Sequence, residues 1–366
     1  MTYNWQQADW PHFTYQLSDI EEVLFSISEE TGHVSGVLKA LPENIQTETL
    51  LNIMVAEAIK TSAIEGEYLS RPDVVSSIKN NLGLSDKKET IKDKKAQGAG
   101  KLMVIARKNY AEPLSQEMLF DWHSILLGEP KRIKVGSWRT DDELMQVVSG
   151  PIGKEKVHFE APPSGKVPKE MARFIKWFND TAPGGSKEIK KAPVRSAIAH
   201  LYFESIHPFE DGNGRIGRAV AEKALSQTIG RPIMMSLSQA IEADRKAYYN
   251  ALEKGQRKNE ITDWVTYFVN VVHQAQISAR ELIDFALRKT KFIDRYKPDL
   301  NDRQLKVVLR MLESPDGFEG GMTAGKYISI AKTSKATATR DLQMLDEIGA
   351  LHSEGAGRSV HYFVNF

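Results

Sequence analysis

The sequence predicts a mainly α-helical protein, in which a helical core carries one small β-hairpin and a separate helix-rich unit follows. Three observations predict it. Apolar residues recur at helical spacing along most of the chain, as at Leu50, Leu51, Met54, Val55 and Ala58. One internal stretch, residues 146–165, reads instead as two short β-type runs, Val147-Val148 and Val157-His158-Phe159, around Ser149-Gly150-Pro151-Ile152-Gly153. From Pro298 onward the pattern changes again, to three short helical stripes and a terminal hairpin.

Length and composition set the frame. A chain of 366 residues exceeds one average domain. It divides into an N-terminal extension over residues 1–95, a core over 96–295 and a C-terminal unit over 298–366. Basic residues number 49 and acidic ones 48, so a net charge of +1 exerts no global pull on nucleic acid or membrane. With no cysteine, disulfides, thiolate nucleophiles and cysteine-ligated zinc are excluded. Residues 1–13 lack the basic and apolar runs of a secretory signal, and no apolar stretch is long enough to span a bilayer. The expectation is a soluble, cytoplasmic protein with no membrane partner.

The elements follow in order. Residues 1–35 carry Trp5, Trp10, Phe13 and Tyr15, aromatics that need a body to pack on. Residues 46–80 read as helix, with Pro72 marking a break or a new start. Residues 84–95 mix lysines with acids and read as a solvated connector. Met171 to Phe178 opens another helix. Residues 194–206 are apolar almost all round, which marks a centrally buried helix. Ile216, Ala219, Val220 and Ala224 mark the next, and residues 238–254 and 262–292 are also helical. In the last unit Leu305, Val308, Leu309 and Leu312 give one helix. Ser314-Pro315-Asp316-Gly317 breaks it. Tyr327 and Ile330 give a second, and Ala338, Leu342, Leu345 and Ile348 a third. A hairpin over 351–364 completes the pattern of a winged helix.

Between two core helices lies His207-Pro208-Phe209-Glu210-Asp211-Gly212-Asn213-Gly214-Arg215-Ile216-Gly217-Arg218. Pro208 stops the buried helix, so His207 sits at its end, where an imidazole that titrates near neutrality can act as a general base. Gly212 and Gly214 permit unusual backbone angles and close approach of a ligand. The helix that starts there points free amides and its positive dipole end into the loop, a nest for phosphate. Arg215 and Arg218, on one helix face, match phosphate oxygens. Asp211 supplies a hard oxygen ligand for magnesium.

This segment resembles the signature of the Fic-domain family: His-Pro-Phe, two residues, Gly-Asn-Gly-Arg, two residues, Arg. Every fixed position is matched, and the helices over residues 100–290 also look like that domain. The resemblance implies a Fic-type helical core, ATP with Mg2+ as the usual donor, and transfer of AMP to a Ser, Thr or Tyr hydroxyl of a protein, this chain itself included. Carried over, His207 deprotonates the hydroxyl and Asp211 holds the metal. The nucleotide lies along Phe209, Gly212, Asn213, Gly214, Arg215, Ile216, Gly217 and Arg218, with Arg218 on the γ-phosphate. Tyr248 and Tyr249 are candidates for the adenine pocket, Tyr249 the one retained. The hairpin resembles the family's flap, with Val157, His158 and Phe159 pairing with an extended target segment.

Thr61-Ser62-Ala63-Ile64-Glu65-Gly66 is similar to the family's inhibitory motif. The resemblance implies that Glu65 pairs with Arg218 in cis and blocks the γ-phosphate site. In some members the same Glu orients water and removes AMP, so the resemblance implies either role for Glu65. In the C-terminal unit Lys332, Lys335, Thr337, Arg340 and Arg358 are the residues DNA would meet, with Asp341, Asp346 and Glu347 opposing. The readings in competition with an autoinhibited AMP transferase are a nucleotide-sensing DNA-binding regulator, an enzyme removing AMP, and transfer of another phosphate-containing group. A homodimer is left open.

Overall fold

The computed structural model describes residues 2–85, 87–130, 133–141, 144–149, 156–313 and 317–366. The chain forms two compact units, one of residues 1–33 and 50–279, the other of residues 34–49 and 280–366. The helices in chain order are α1 (Glu21–Ala40), α2 (Glu43–Ile64), α3 (Arg71–Leu82), α4 (Lys94–Lys108) and α5 (Gln116–Leu127). The hairpin strands β1 (Gln146–Ser149) and β2 (Lys156–Glu160) follow. Next come α6 (Val167–Asp180), α7 (Ala192–Ile206), α8 (Asn213–Ile229), α9 (Leu237–Ala243), α10 (Arg245–Gly255) and α11 (Thr262–Tyr296). The chain ends with α12 (Asp302–Met311), α13 (Ala324–Ala331), α14 (Lys335–Glu347), β3 (Leu351–Glu354) and β4 (His361–Val364). Among the described residues no helix is long and apolar enough to cross a membrane.

Local chemistry starts and stops these helices. Ser70 caps α3, and Pro72 sits in its first turn, where the missing amide costs nothing. Asp93 accepts from the amides of Lys95 and Ala96 at the start of α4, and Ser115 accepts from Met118 at the start of α5. The helical run over 46–80 divides near Pro72, where a break or new start was expected: α2 ends at Ile64, Gly66 takes φ +80°, and α3 begins at Arg71. The run expected over 238–254 is likewise divided, because Asp244 leaves helical geometry and caps α10 through the Ala247 amide. The aromatic N-terminus hid a helix that its composition did not announce, the twenty-residue α1.

In the first unit α7 is the central rod, with all of its residues buried. Its polar residues are satisfied from neighbouring helices. Arg195 donates to the carbonyls of Phe178 on α6 at 2.7 Å and Ala224 on α8 at 3.0 Å, which ties three helices together. The N-terminal aromatics pack on this body as expected. Trp10 meets Phe13 and Tyr202 edge-on, and its indole N–H donates to Glu170. Tyr3 lies edge-on to Phe159 of β2, and Asn4 donates to Ser205 of α7 at 2.8 Å.

The hairpin β1–β2 is antiparallel, with Val147 opposite Phe159 and Val148 opposite Val157, so His158 is the extra residue of a bulge. Its Gly150-Pro151-Ile152-Gly153 turn lies outside the described residues. In the second unit α12, α13 and α14 enclose a core of Val307, Val308, Leu312, Tyr327, Leu342 and Leu345, closed by the antiparallel pair β3–β4. The break at Ser314-Pro315-Asp316 also lies outside the described residues.

Candidate active site

Pro208 cannot continue a helix, and α7 stops at Ile206. His207 then adopts left-handed backbone, φ 51° and ψ 62°. For a residue with a side chain this costs on the order of 1 kcal/mol. Arg139, which no sequence motif singles out, holds the turn. Its Nε donates to the His207 carbonyl at 2.8 Å, and its Nη2 reaches the carbonyls of Pro162 and Ile206. A cation thus meets the open carbonyls at the end of α7. Burial brings Arg139 down to about 10, which leaves it charged at neutral pH.

The loop that follows is locked from inside. The Asn213 carboxamide accepts from the Phe209 amide at 2.9 Å and donates to the Phe209 carbonyl at 2.8 Å. The Phe209 ring is fully buried and stacks on His123, centroids 4.1 Å apart. His123 joins the Asp211 carbonyl through Nε2 at 3.2 Å and accepts the Gly136 amide on Nδ1 at 3.1 Å. Burial pushes His123 down to about 4, so it is neutral in the fold. Gly212 takes φ +82° and α8 starts behind it.

These pieces border one cleft of about 820 Å³. Glu65, His207, Asp211, Gly212, Asn213, Gly214 and Tyr249 all line it, so the amides of the first turn of α8 open onto the same space as the imidazole. The Asp211 carboxylate is half exposed there. As a lone carboxylate beside an anion nest it fits Mg2+, which is commonly held by one or two carboxylates and by phosphate oxygens. Among the described residues there is no cluster of three or more metal-ligating side chains.

Both arginines of the segment are engaged by acids. Arg218, 1% exposed, donates through Nη2 to Glu65 Oε1 at 2.8 Å and to the Thr61 carbonyl at 2.8 Å, and through Nε to the Thr61 hydroxyl at 2.7 Å. Burial works against its charge, but the Glu65 carboxylate outweighs this and raises its pKa above the ordinary arginine range. Arg215 pairs with Glu67 Oε2 at 2.5 Å and lies 3.4 Å from Asp211 Oδ1. Glu67 in turn receives Lys95 at 2.7 Å. Glu65 and Glu67 both belong to the short segment after α2, and Glu65 stands in the cleft lining where Arg218 does not.

The expected site residues fall in different places. Phe209 and Ile216 do not line the cleft. Both are fully buried core residues, because the loop and the inner face of α8 need apolar anchors. Gly217 does not line the cleft either. A Cβ there would stand 2.2 Å from Glu204 Oε1. Gly214 lies on the cleft, and its missing side chain makes room for Glu65, whose Oε1 would be 2.1 Å from a Cβ. Tyr248 and Tyr249 both border the cleft: Tyr249 donates to the Ile64 carbonyl at 3.2 Å, and the largely buried Tyr248 has its hydroxyl 2.8 Å from His200 Nε2. On β2, Val157 is exposed, His158 pairs with Glu253 at 2.7 Å, and Phe159 turns inward onto Tyr3.

A Fic/DOC family model matches residues 113–225, which hold the whole segment 207–218. Residues 113–225 are a Fic/DOC family domain. A second model, described as a domain of unknown function (DUF4172), matches residues 3–84, the part that supplies Glu65 and the docked aromatics to the Fic domain. The chain is 26% identical over 226 residues to a probable protein adenylyltransferase of Aquifex aeolicus, a match covering 56% of this chain and 66% of that protein. It is 26% identical over 163 residues to the protein adenylyltransferase Fic of Culex quinquefasciatus, covering 44% of this chain and 29% of that one. The matched part is therefore less than two thirds of either relative's length. A Fic family protein of Desulfovibrio desulfuricans G20 shares the fold, with a TM-score of 0.54 at 18% identity over 97% of this chain and 98% of its own.

Proposed function

We propose that this chain is an autoinhibited protein adenylyltransferase, moving AMP from ATP with Mg2+ to a Ser, Thr or Tyr hydroxyl of a protein. One observation carries the reading: His207, Asp211 and the open amides of α8 border one cleft, while Arg218 behind them is held by Glu65. In this reading the triphosphate lies along the start of α8, with Arg215 on its oxygens and the adenine toward Tyr249. His207 accepts the proton of the incoming hydroxyl, whose oxygen bonds to the α-phosphorus as the bond to pyrophosphate breaks. Asp211 would hold the Mg2+, which neutralises phosphate charge. Exposed Val157 and the edge of β2 receive the extended target segment.

Glu65 is the brake. On the Arg218 guanidinium it takes the place of the γ-phosphate and repels it, so ATP binds with its phosphates out of line for attack. Losing that alignment costs orders of magnitude in rate. The relatives named as adenylyltransferases support the donor and the reaction. We also assign the C-terminal helices and hairpin as a winged helix, on the order of its elements.

The test is auto-modification with ATP labelled at the α-phosphate. Glu65→Gly is expected to label at least tenfold more strongly than wild type, and adding His207→Ala is expected to abolish it. Equal labelling of wild type and Glu65→Gly would remove the brake, and label persisting without His207 would remove the base.

A further inference from the structure

The imidazole of His207 has a neighbour that the mechanism above leaves unused. Glu204, on the last turn of α7, places its Oε2 3.5 Å from His207 Nδ1. The residue is 4% exposed. Burial favours a protonated, neutral carboxyl, yet His207, His200 and Arg218 outweigh it and hold Glu204 below the ordinary carboxylate range. A buried anion is therefore kept beside the proposed base. Oε1 of Glu204 has no hydrogen-bond partner, and neither does the buried Nδ1 of His207, whose contact to Oε2 is longer than a settled hydrogen bond. Leaving such groups half-satisfied is destabilising, so stability alone gives no reason for the carboxylate. The space it occupies is kept open by Gly217, a glycine of α8 that does not line the cleft.

We propose that Glu204 is the positioning residue for His207. Its carboxylate receives Nδ1–H, which fixes the tautomer and leaves the Nε2 lone pair for the cleft that His207 lines. When Nε2 takes the proton of the incoming hydroxyl, the imidazolium forms beside an anion, and the 3.5 Å contact closes to a charged hydrogen bond. Glu204 stays ionised throughout, and the imidazolium later gives its proton to solvent. The hydroxyl substrate rests on the transferase reading, but the tautomer does not. Other titratable and charged groups surround the pair. His200 on α7, Arg218 on α8 and Tyr248 on α10 act on Glu204 itself or on its neighbours. Glu65, Glu210, Asp211, Arg245, Lys246 and Glu253 line the same cleft as His207.

The deciding experiment is nitrogen NMR of the full chain labelled in its nine histidines, with His207→Gln to assign the resonance. Wild-type His207 is expected as the Nδ1–H tautomer, and its pKa is expected to drop by roughly one unit in Glu204→Gln. An Nε2–H tautomer in wild type, or an unmoved pKa, overturns the proposal. Neither reading needs a substrate, so failure here is distinct from failure of the transferase reading. In the Glu65→Gly background, Glu204→Gln is expected to lower kcat roughly tenfold or more at constant KM for ATP. It should also move the acid limb of the pH profile to lower pH, with partial rescue by Glu204→Asp, and an unchanged kcat counts against the proposal. Should Glu204→Gln not fold, the wild-type tautomer decides by itself. Gly217→Ala, whose methyl displaces Oε1, is then the second variant, expected to lower the His207 pKa in the same direction.

Discussion

At the scale of single residues, the segment 207–218 is a set of local instructions that each need a distant partner to take effect. Asn213 reads as a phosphate ligand, yet its carboxamide is used on the Phe209 backbone, so its amide is what remains for the cleft. Gly214 reads as a source of backbone freedom and Gly217 as part of the nucleotide track, but both are helical, and what their missing Cβ atoms permit is the approach of Glu65 and Glu204. His123 shows how a partner sets pH behaviour. Its pKa is near 6.5 in an unfolded chain and about 4 in the fold, so the unfolded state binds the extra proton between those values. Its stabilising contribution is complete above about pH 6.5 and is lost as pH falls toward 4. Wild type should lose roughly 1–2 kcal/mol more than His123→Gln between pH 7 and pH 5, read as a larger fall in Tm. Equal falls in the two proteins would show that His123 is not responsible.

At the scale of elements, the segment between α2 and α3 matters most, and the sequence marked a break there only through Pro72. The true break at Ile64 lets Glu65 and Glu67 leave the helix and reach α8. Only Glu65 was legible, because it lies within the six-residue pattern from Thr61 to Gly66. Glu67 follows that pattern by one residue, and nothing local says that it meets Arg215. In the proposed reading Arg215 also meets the phosphates, so its pair with Glu67 would be a second restraint on the same segment. On the Glu65→Gly background, Glu67→Gln should raise transfer a further threefold to tenfold, roughly the worth of one partly buried ion pair. Unchanged or reduced transfer in the double variant would mean that the Glu67–Arg215 pair supports the site and does not restrain it.

At the scale of the molecule, each unit has its own core. The second unit is held in part by Asp341, which receives Arg303 at 2.7 and 3.1 Å and the Tyr327 hydroxyl at 2.7 Å. That network occupies an acid which the sequence reading set against DNA binding. Arg303→Met should lower the Tm of this unit, by leaving the Asp341 carboxylate without its cation, while leaving labelling by the Glu65→Gly protein unchanged. Lost labelling in Arg303→Met would instead couple the second unit to the transfer reaction.

The sequence by itself determined the helical class, the hairpin, the three-helix C-terminal unit and the order of the segment 207–218. These rest on short-range causes: apolar spacing, a proline that ends α7, and a glycine that turns before α8. It also determined that α7 would be buried, since a helix apolar on every side has no solvent face. Only the tertiary structure decided which carboxylate meets which cation. Glu65 and Arg218 are 153 positions apart, and Arg139 reaches a carbonyl 68 positions away. Contacts of that range leave no periodic trace, because charge attraction and burial act on distance in space, and the packing of α2, α7 and α8 sets that distance only once the whole unit has folded.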